Sequence, residues 1–353
     1  MTPGDVVPES QIGLYVEEAM NELEFIMGPV SSKYGALRAS LGNPRPWTIK
    51  YVEIGNEDNL GGSEESYVAY RFRAFYDAIH AKYPEITIIS STGDTEAQIG
   101  NSATDFHEYD RPDQHVTQFN FFDNLVNRSN LHLIGEYAVI QGNADTVVGV
   151  DWSAAKLPYP IWAGSVAETV FSLGAERNGY GIIGMSYAPG FQNINSYQWT
   201  VGPPPTLPAF QNMLISPKPD LITFNADPSQ TVLSTSWHAI QLLSNNRYLA
   251  TVPVTSDTAY GPAYWMAGTS GPGKYTFKTA VYNSTAPVPY NIQFEGLRQG
   301  AKATLTVLTA PSGLSSNVLG GPNVVSTDVR ELFAGAQGFN FELENYSIAV
   351  LTT

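Results

Sequence analysis

A chain of 353 residues is long enough for two domains and a well-buried core. Its net charge of −15, with only 18 Lys and Arg, argues against nucleic acid or an anionic membrane as a partner. Charged residues are only 14% of the chain while Tyr, Gly, Pro, Ser, Thr and Asn are plentiful, a balance suited to an extracellular protein acting on a neutral polymer; the absence of cysteine excludes disulfides and thiolate metal sites.

The first 190 or so residues alternate helix and strand signals, which predicts a parallel α/β unit. Pro8–Met27 reads as an amphipathic helix with Ile12, Val16, Met20, Leu23 and Met27 along one face. Thr48–Ile54 reads as a strand and Glu64–Tyr83 as a helix whose apolar face carries Val68, Phe72, Phe75 and Ile79. Ile86–Ser91 is apolar except for Thr87 and is expected to be buried on both faces. A short strand over Thr104–His107 is followed by a helix opening at Pro112, a residue suited to a first helical turn. Leu131–Gly135 is a further strand, Ser165–Arg177 a helix and Gly181–Tyr187 a strand.

These make about five strands where a (β/α)8 barrel needs eight, with the deficit at the front. Val201–Pro219 carries Pro203, Pro204, Pro205, Pro208, Pro217 and Pro219, which no regular element tolerates. Thr235–Tyr248 reads as a helix with Trp237, Ile240, Leu243 and Tyr248 available to pack. From about Gly261 the pattern changes to alternation, as in Tyr275-Phe277-Thr279-Val281, Ala303-Leu305-Val307 and Phe339-Phe341-Leu343, broken by turn residues. That pattern predicts an antiparallel β-sandwich. The expected organisation is therefore residues 1–200 as a partial catalytic barrel, 201–219 as a proline-rich insertion, and 220–353 as a linker helix with a C-terminal sandwich. No apolar run is long enough to span a membrane. Met1–Asp5 lacks the apolar stretch of a signal peptide, so a secreted protein is expected to start elsewhere.

Two segments carry the chemistry. Tyr51–Asp58 and Leu131–Val139 each hold a β-prone run that leads into a glutamate, Glu57 and Glu136. Taken singly, either is more readily an ordinary loop carboxylate. Taken together, two carboxylates delivered at strand ends are what glycosidic bond cleavage needs. Glu53, inside its strand, is read as structural. Asn56 can offer its amide to a sugar hydroxyl beside Glu57. His107 and Tyr109 follow a short strand and can project toward the same rim, where a histidine can orient a carboxylate. The histidines at 80, 107, 115, 132 and 238 do not cluster at ligand spacing, so no metal is expected. Asn195 and Trp199 are candidates for sugar contact after the last strand, and a buried aromatic is the plainer reading of Trp199. Acceptor sequons for N-glycosylation occur at Asn127, Asn283 and Asn345.

Gly-Asn-Glu-Asp at 55–58, His-x-Tyr at 107–109 and Gly-Glu-Tyr-Ala at 135–138 together resemble the α-L-arabinofuranosidases of glycoside hydrolase family 51. So does Glu168–Asn178 followed by Met185-Ser-Tyr-Ala-Pro189, and the eukaryotic branch is the more similar one. The resemblance implies a retaining hydrolase with a (β/α)8 barrel and a β-sandwich. It implies that Glu57 is the acid/base on the fourth strand and Glu136 the nucleophile on the seventh. It also implies that Asn56, His107 and Tyr109 line the subsite for the arabinose ring, and that no cofactor is needed. The substrate would be a plant cell-wall polysaccharide or an arabino-oligosaccharide, of arabinoxylan or arabinan type; oligomeric state is left open.

On this reading strands four to eight are present and the first three are not, so the chain is expected to be an N-terminally truncated piece with open sheet edges. Val201–Lys218 matches neither neighbour in composition and is expected to be translated intron. An endo-β-glucanase using the same carboxylates is the alternative within the family, and an inactive fragment or non-catalytic carbohydrate-binding protein is the alternative outside it.

Overall fold

The computed structural model describes residues 6–92, 102–125, 131–144, 148–193 and 219–353. Asn127, Asn195, Trp199 and the insertion at 201–218 lie outside the described residues. The chain forms two compact units: Met1–Phe106 with Arg128–Ile134, and His107–Asn127 with Gly135–Thr353.

The first unit opens with α1 (Ile12–Met27) and α2 (Lys33–Ser40). The short α2, which hydrophobic periodicity does not signal, starts at Ser32, whose hydroxyl accepts the Gly35 amide at 3.2 Å. Its Arg38 is fully buried and donates to the carbonyls of Phe25 and Ile26, closing the last turn of α1 with a cation. Strand β1 (Tyr51–Ile54) begins three residues later than the sequence indicates. A helical run follows, from Glu64–Ser66 through a π turn at Tyr67–Arg71 into α3 (Phe72–Lys82). Both Tyr67 and Arg71 are buried, the functional consequence of that turn. Strand β2 (Thr87–Ser90) pairs in parallel with β1, Ile54 opposite Ser90, and with β3 (Ala103–Asp110), Ser90 opposite Thr104. Leu23, Ile54, Phe72, Ile79, Ile86 and Ile88 form the core.

The strand order is β1-β2-β3-β4 in the first unit and β3-β4-β5 in the second, with β4 at His132–Val139 and β5 at Ile182–Tyr187. Between β3 and β5 the second unit places α4 (Pro112–Thr117), with its proline in the first turn, and α5 (Trp162–Glu176). Every residue of α5 from Trp162 to Ala175 is buried, so it needs no polar face. A small sheet of β6 (Phe191–Asn193), β7 (Ile222–Phe224) and β8 (Val232–Leu233) precedes α6 (Thr235–Asn245).

The remaining strands are β9 (Ala250–Val252), β10 (Ala263–Gly271), β11 (Lys274–Val281), β12 (Val288–Ile292), β13 (Lys302–Thr309), β14 (Ser326–Phe333), β15 (Phe339–Leu343) and β16 (Ser347–Thr352). Six of them form a sheet in the order β14-β13-β16-β11-β10-β9, and β12 pairs with β15. One face of the six-stranded sheet packs Met266, Ala280, Leu308, Ile348 and Val350 against α5 and α6. The other packs Trp265, Phe277, Leu305, Val307 and Leu351 against Tyr290, Phe339 and Phe341. Phe339 to Leu343 alternates buried and exposed as expected, whereas β11 is buried on both faces from Thr276 to Val281, because helices cover the side that alternation assigns to water. Lys278, on the helix side, is 1% exposed and donates to both Glu176 carboxylate oxygens at 2.9 and 2.8 Å and to the Leu243 carbonyl at 3.0 Å. Among the described residues no helix is long and apolar enough to cross a membrane.

Candidate active site

In the first unit, Glu57 stands three residues beyond β1 in a backbone corner. Gly55 has φ 93° and Glu57 φ 49°, so the chain turns through the left-handed region on both sides of Asn56. A side chain at Gly55 would place its Cβ 1.9 Å from Asp58 Oδ2. Glutamate at positive φ is strained, and here the surroundings impose it. Asp58, 3% exposed, receives Arg71 Nη1 at 2.6 Å, the Asn56 amide at 3.1 Å and the Ser91 hydroxyl at 2.8 Å. Arg71 also donates to Ser66 Oγ at 2.9 Å and the Ser63 carbonyl at 2.7 Å, and the Tyr67 hydroxyl donates to the Ile54 carbonyl at 2.7 Å. Asp58 and Arg71 therefore hold the corner that presents Asn56 and Glu57. The aspartate was visible in Gly-Asn-Glu-Asp; its role depends on the π turn that buries Arg71.

In the second unit, β3 runs on past His107 to Asp110 and β4 past Gly135 to Val139, both longer than the sequence indicates. Glu136 therefore lies within its strand and not at its end, because Tyr137, Ala138 and Val139 continue the buried ladder. His107 and Tyr109 are two apart on β3 and share a face. The Tyr109 hydroxyl donates to Glu136 Oε2, and His107 Nδ1 stands 3.6 Å from the same oxygen. The Glu136 side chain is 26% exposed and that of His107 15%, so the carboxylate is reachable and the imidazole beside it is more sheltered. Trp152, which the sequence reading passed over, meets the Tyr109 ring edge-on with centroids 6.1 Å apart.

Two carboxyl groups with raised affinity for protons lie off this face. Burial, with Asp110 nearby, pushes Glu108 up to about 7; it accepts a bond from Gln118 Nε2 at 2.6 Å. Glu168 on α5 is likewise pushed up to about 7 by burial, while accepting the Val139 amide at 2.8 Å and the Ser236 hydroxyl at 2.5 Å. Both are satisfied within packed structure, so their perturbation marks burial and not chemistry.

The structure thus brings His107, Tyr109 and Glu136 together in the second unit and sets Asn56 and Glu57 in the first. Sequons Asn283 and Asn345 differ: Asn283 is exposed with φ 60°, whereas Asn345 Oδ1 accepts the amides of Ser284 at 3.0 Å and Tyr346 at 2.9 Å.

Residues 1–128 match the α-L-arabinofuranosidase 1 domain, and residues 135–347 match the α-L-arabinofuranosidase C-terminal domain. A probable α-L-arabinofuranosidase A of Aspergillus terreus is 39% identical over 342 residues, covering 96% of this chain and 48% of that protein. The α-L-arabinofuranosidase A of Aspergillus niger is 39% identical over 341 residues with the same coverage. Among solved structures, an arabinose-bound family 51 α-L-arabinofuranosidase superposes with a TM-score of 0.82 at 28% identity, over 98% of this chain and 52% of that one. An arabinose complex of the α-L-arabinofuranosidase from Thermotoga maritima shares the fold, with a TM-score of 0.70 at 16% identity over 96% of this chain and 73% of that one. These matches place the chain in the class of glycoside hydrolases. Within that class it belongs to family 51, the α-L-arabinofuranosidases. The chain spans about half the length, 48%, of the curated relatives it matches.

Proposed function

We propose that this chain carries the catalytic carboxylates of a retaining hydrolase that releases terminal α-L-arabinofuranosyl units from arabinoxylan- or arabinan-type polysaccharides. The observation that carries the reading is the bond from the Tyr109 hydroxyl to one oxygen of Glu136, with the His107 imidazole close to the same oxygen. A carboxylate held this way keeps its other oxygen aimed, which is what attack on an anomeric carbon requires. In the reaction Glu136 displaces the leaving group and forms a glycosyl ester. Glu57 protonates the departing oxygen and then takes a proton from the water that cleaves the ester. Asn56, beside Glu57, hydrogen-bonds a ring hydroxyl.

Finer assignments belong to the same proposal. Strands β1 to β5 are strands four to eight of a (β/α)8 barrel, the C-terminal sheets are a β-sandwich, and the domains divide at 1–200, 201–219 and 220–353. The protein is secreted and N-glycosylated. The test is hydrolysis of an aryl α-L-arabinofuranoside by the purified chain beside its Glu57→Gln and Glu136→Gln variants. Turnover that collapses in both supports the reading. A well-folded chain without turnover moves it to carbohydrate binding without catalysis.

A further inference from the structure

The acceptor sequon at Asn283 opens onto a cleft of 480 Å³ within the second unit. Asn283, Ser284 and Thr285, which follow directly on β11, line one side of it. Asp113 and Val116 of α4, with Pro262 and Tyr264 at the start of β10, line the rest. That volume falls within the ~300–1,000 Å³ of small-molecule sites.

The walls of the cleft are fixed before anything enters. The Tyr282 hydroxyl donates to Asp113 Oδ1 at 2.6 Å and accepts Asn143 Nδ2 at 3.0 Å, which ties the end of β11 to α4. The Tyr282 amide donates to the Pro262 carbonyl at 2.8 Å. Ser284 donates its amide to Asn345 Oδ1 at 3.0 Å and its hydroxyl to the Ala286 carbonyl at 2.6 Å. The Tyr264 ring meets that of Phe119 with centroids 5.1 Å apart and is only partly buried. Asn283 itself is exposed at φ 60°, a left-handed conformation that asparagine tolerates.

A sugar joined to the Asn283 side chain starts at this rim. Its approach to Tyr264 is therefore intramolecular, over walls that need no ordering. The C–H face of a pyranose suits an aromatic ring, and covering Tyr264, Val116 and Pro262 removes apolar surface from water. We infer that the first N-acetylglucosamine of a glycan on Asn283 packs into this cleft against Tyr264 and fastens α4 to β10 and β11. The inference rests on the proposed reading of the chain as secreted and N-glycosylated, and makes that modification a brace of the fold.

The test compares the parent chain with Thr285→Ala, which removes the acceptor signal and leaves Asn283 in place. The same comparison is repeated on Tyr264→Ala and on Tyr264→Phe. All the proteins are made through one secretory route and trimmed enzymatically to one N-acetylglucosamine per occupied site. The same set made in a bacterial cytoplasm gives the effect of the substitutions without glycan. Thr285→Ala is expected to lower the melting temperature by about 2–4 °C more in the glycosylated set than in the bare one. That excess should vanish on Tyr264→Ala and survive on Tyr264→Phe. Peptide mapping reads occupancy beside each melt. An occupied Asn283 with no excess, or an excess that Tyr264→Ala leaves intact, overturns the inference alone. Glycan elsewhere but not on Asn283 overturns it and leaves the glycoprotein reading standing, and no glycan at any sequon overturns both.

Discussion

The Tyr109 hydroxyl donates to Oε2 of Glu136, and it does so from the same face of β3 that brings His107 Nδ1 to 3.6 Å from that oxygen. The hydroxyl bond orients the carboxylate, and the imidazole stands beside the same oxygen. Removing the hydroxyl leaves the imidazole as a single longer contact. Tyr109→Phe is therefore expected to lower kcat on an aryl arabinofuranoside by about 10²-fold, the scale for a lost preorganised donor. KM should change little, since the ring that lines the site stays. Steady-state kinetics check this; an unchanged kcat contradicts it.

The corner that presents Glu57 depends on a buried ion pair, with Asp58 3% and Arg71 9% exposed at the side chain. Asp58→Ala strands the guanidinium and should destabilise the first unit by about 3–5 kcal/mol. Asp58→Ala combined with Arg71→Met should cost less than the sum of the two single changes, because neither charge is then left alone. Urea unfolding of the four proteins measures the coupling, and strict additivity would remove Asp58 from this role.

Two buried groups give opposite pH dependences. Burial pushes His115 down to about 4 from 6.5, while its Nε2–H donates to the Ala138 carbonyl at 3.2 Å. An imidazole kept neutral in the fold contributes stability that is full above pH 6.5 and lost as pH falls toward 4. Glu168, raised from 4.5 to about 7, contributes stability that is full below pH 4.5 and lost as pH rises through 7. Each swing is roughly 3 kcal/mol. Melting temperatures across this range should show His115→Gln flattening the acid limb and Glu168→Gln flattening the rise-of-pH loss. Parallel curves for variants and parent are the contrary result.

Expressed through a secretory route, the chain should carry glycan at Asn283 and little at Asn345. Asn283 is exposed in a left-handed turn, whereas the Asn345 carbonyl oxygen is doubly engaged and its sequon hydroxyl, Ser347, is 1% exposed. Peptide mapping after enzymatic deglycosylation reads both sites, and equal occupancy runs against the argument.

Much of this architecture was legible because the hydrophobic period reports burial directly. The α1 face, the all-apolar β2 and the alternation of Phe339, Phe341 and Leu343 each follow from one side chain per position. What was not legible depends on partners distant in sequence. Strand β11 looks half-exposed until α5 and α6 are placed against it, and Lys278 looks like a surface residue until Glu176 arrives. Glu57, Glu136, His107 and Tyr109 stood out by residue type and by resemblance. Asp58 and Arg71 matter through a π turn that no periodicity announces. Strand β4 runs on past Gly135 to Val139.

The most direct test of the central claim is to trap the nucleophile. In the proposed mechanism Glu57 activates water, so a Glu57→Ala variant given an aryl α-L-arabinofuranoside, whose leaving group needs no proton, should accumulate a covalent arabinosyl ester. Intact-mass spectrometry should show one added arabinosyl unit, and peptide mapping should place it on Glu136. An adduct on another residue, or turnover by the parent chain with inverted anomeric configuration and no adduct, would contradict the account.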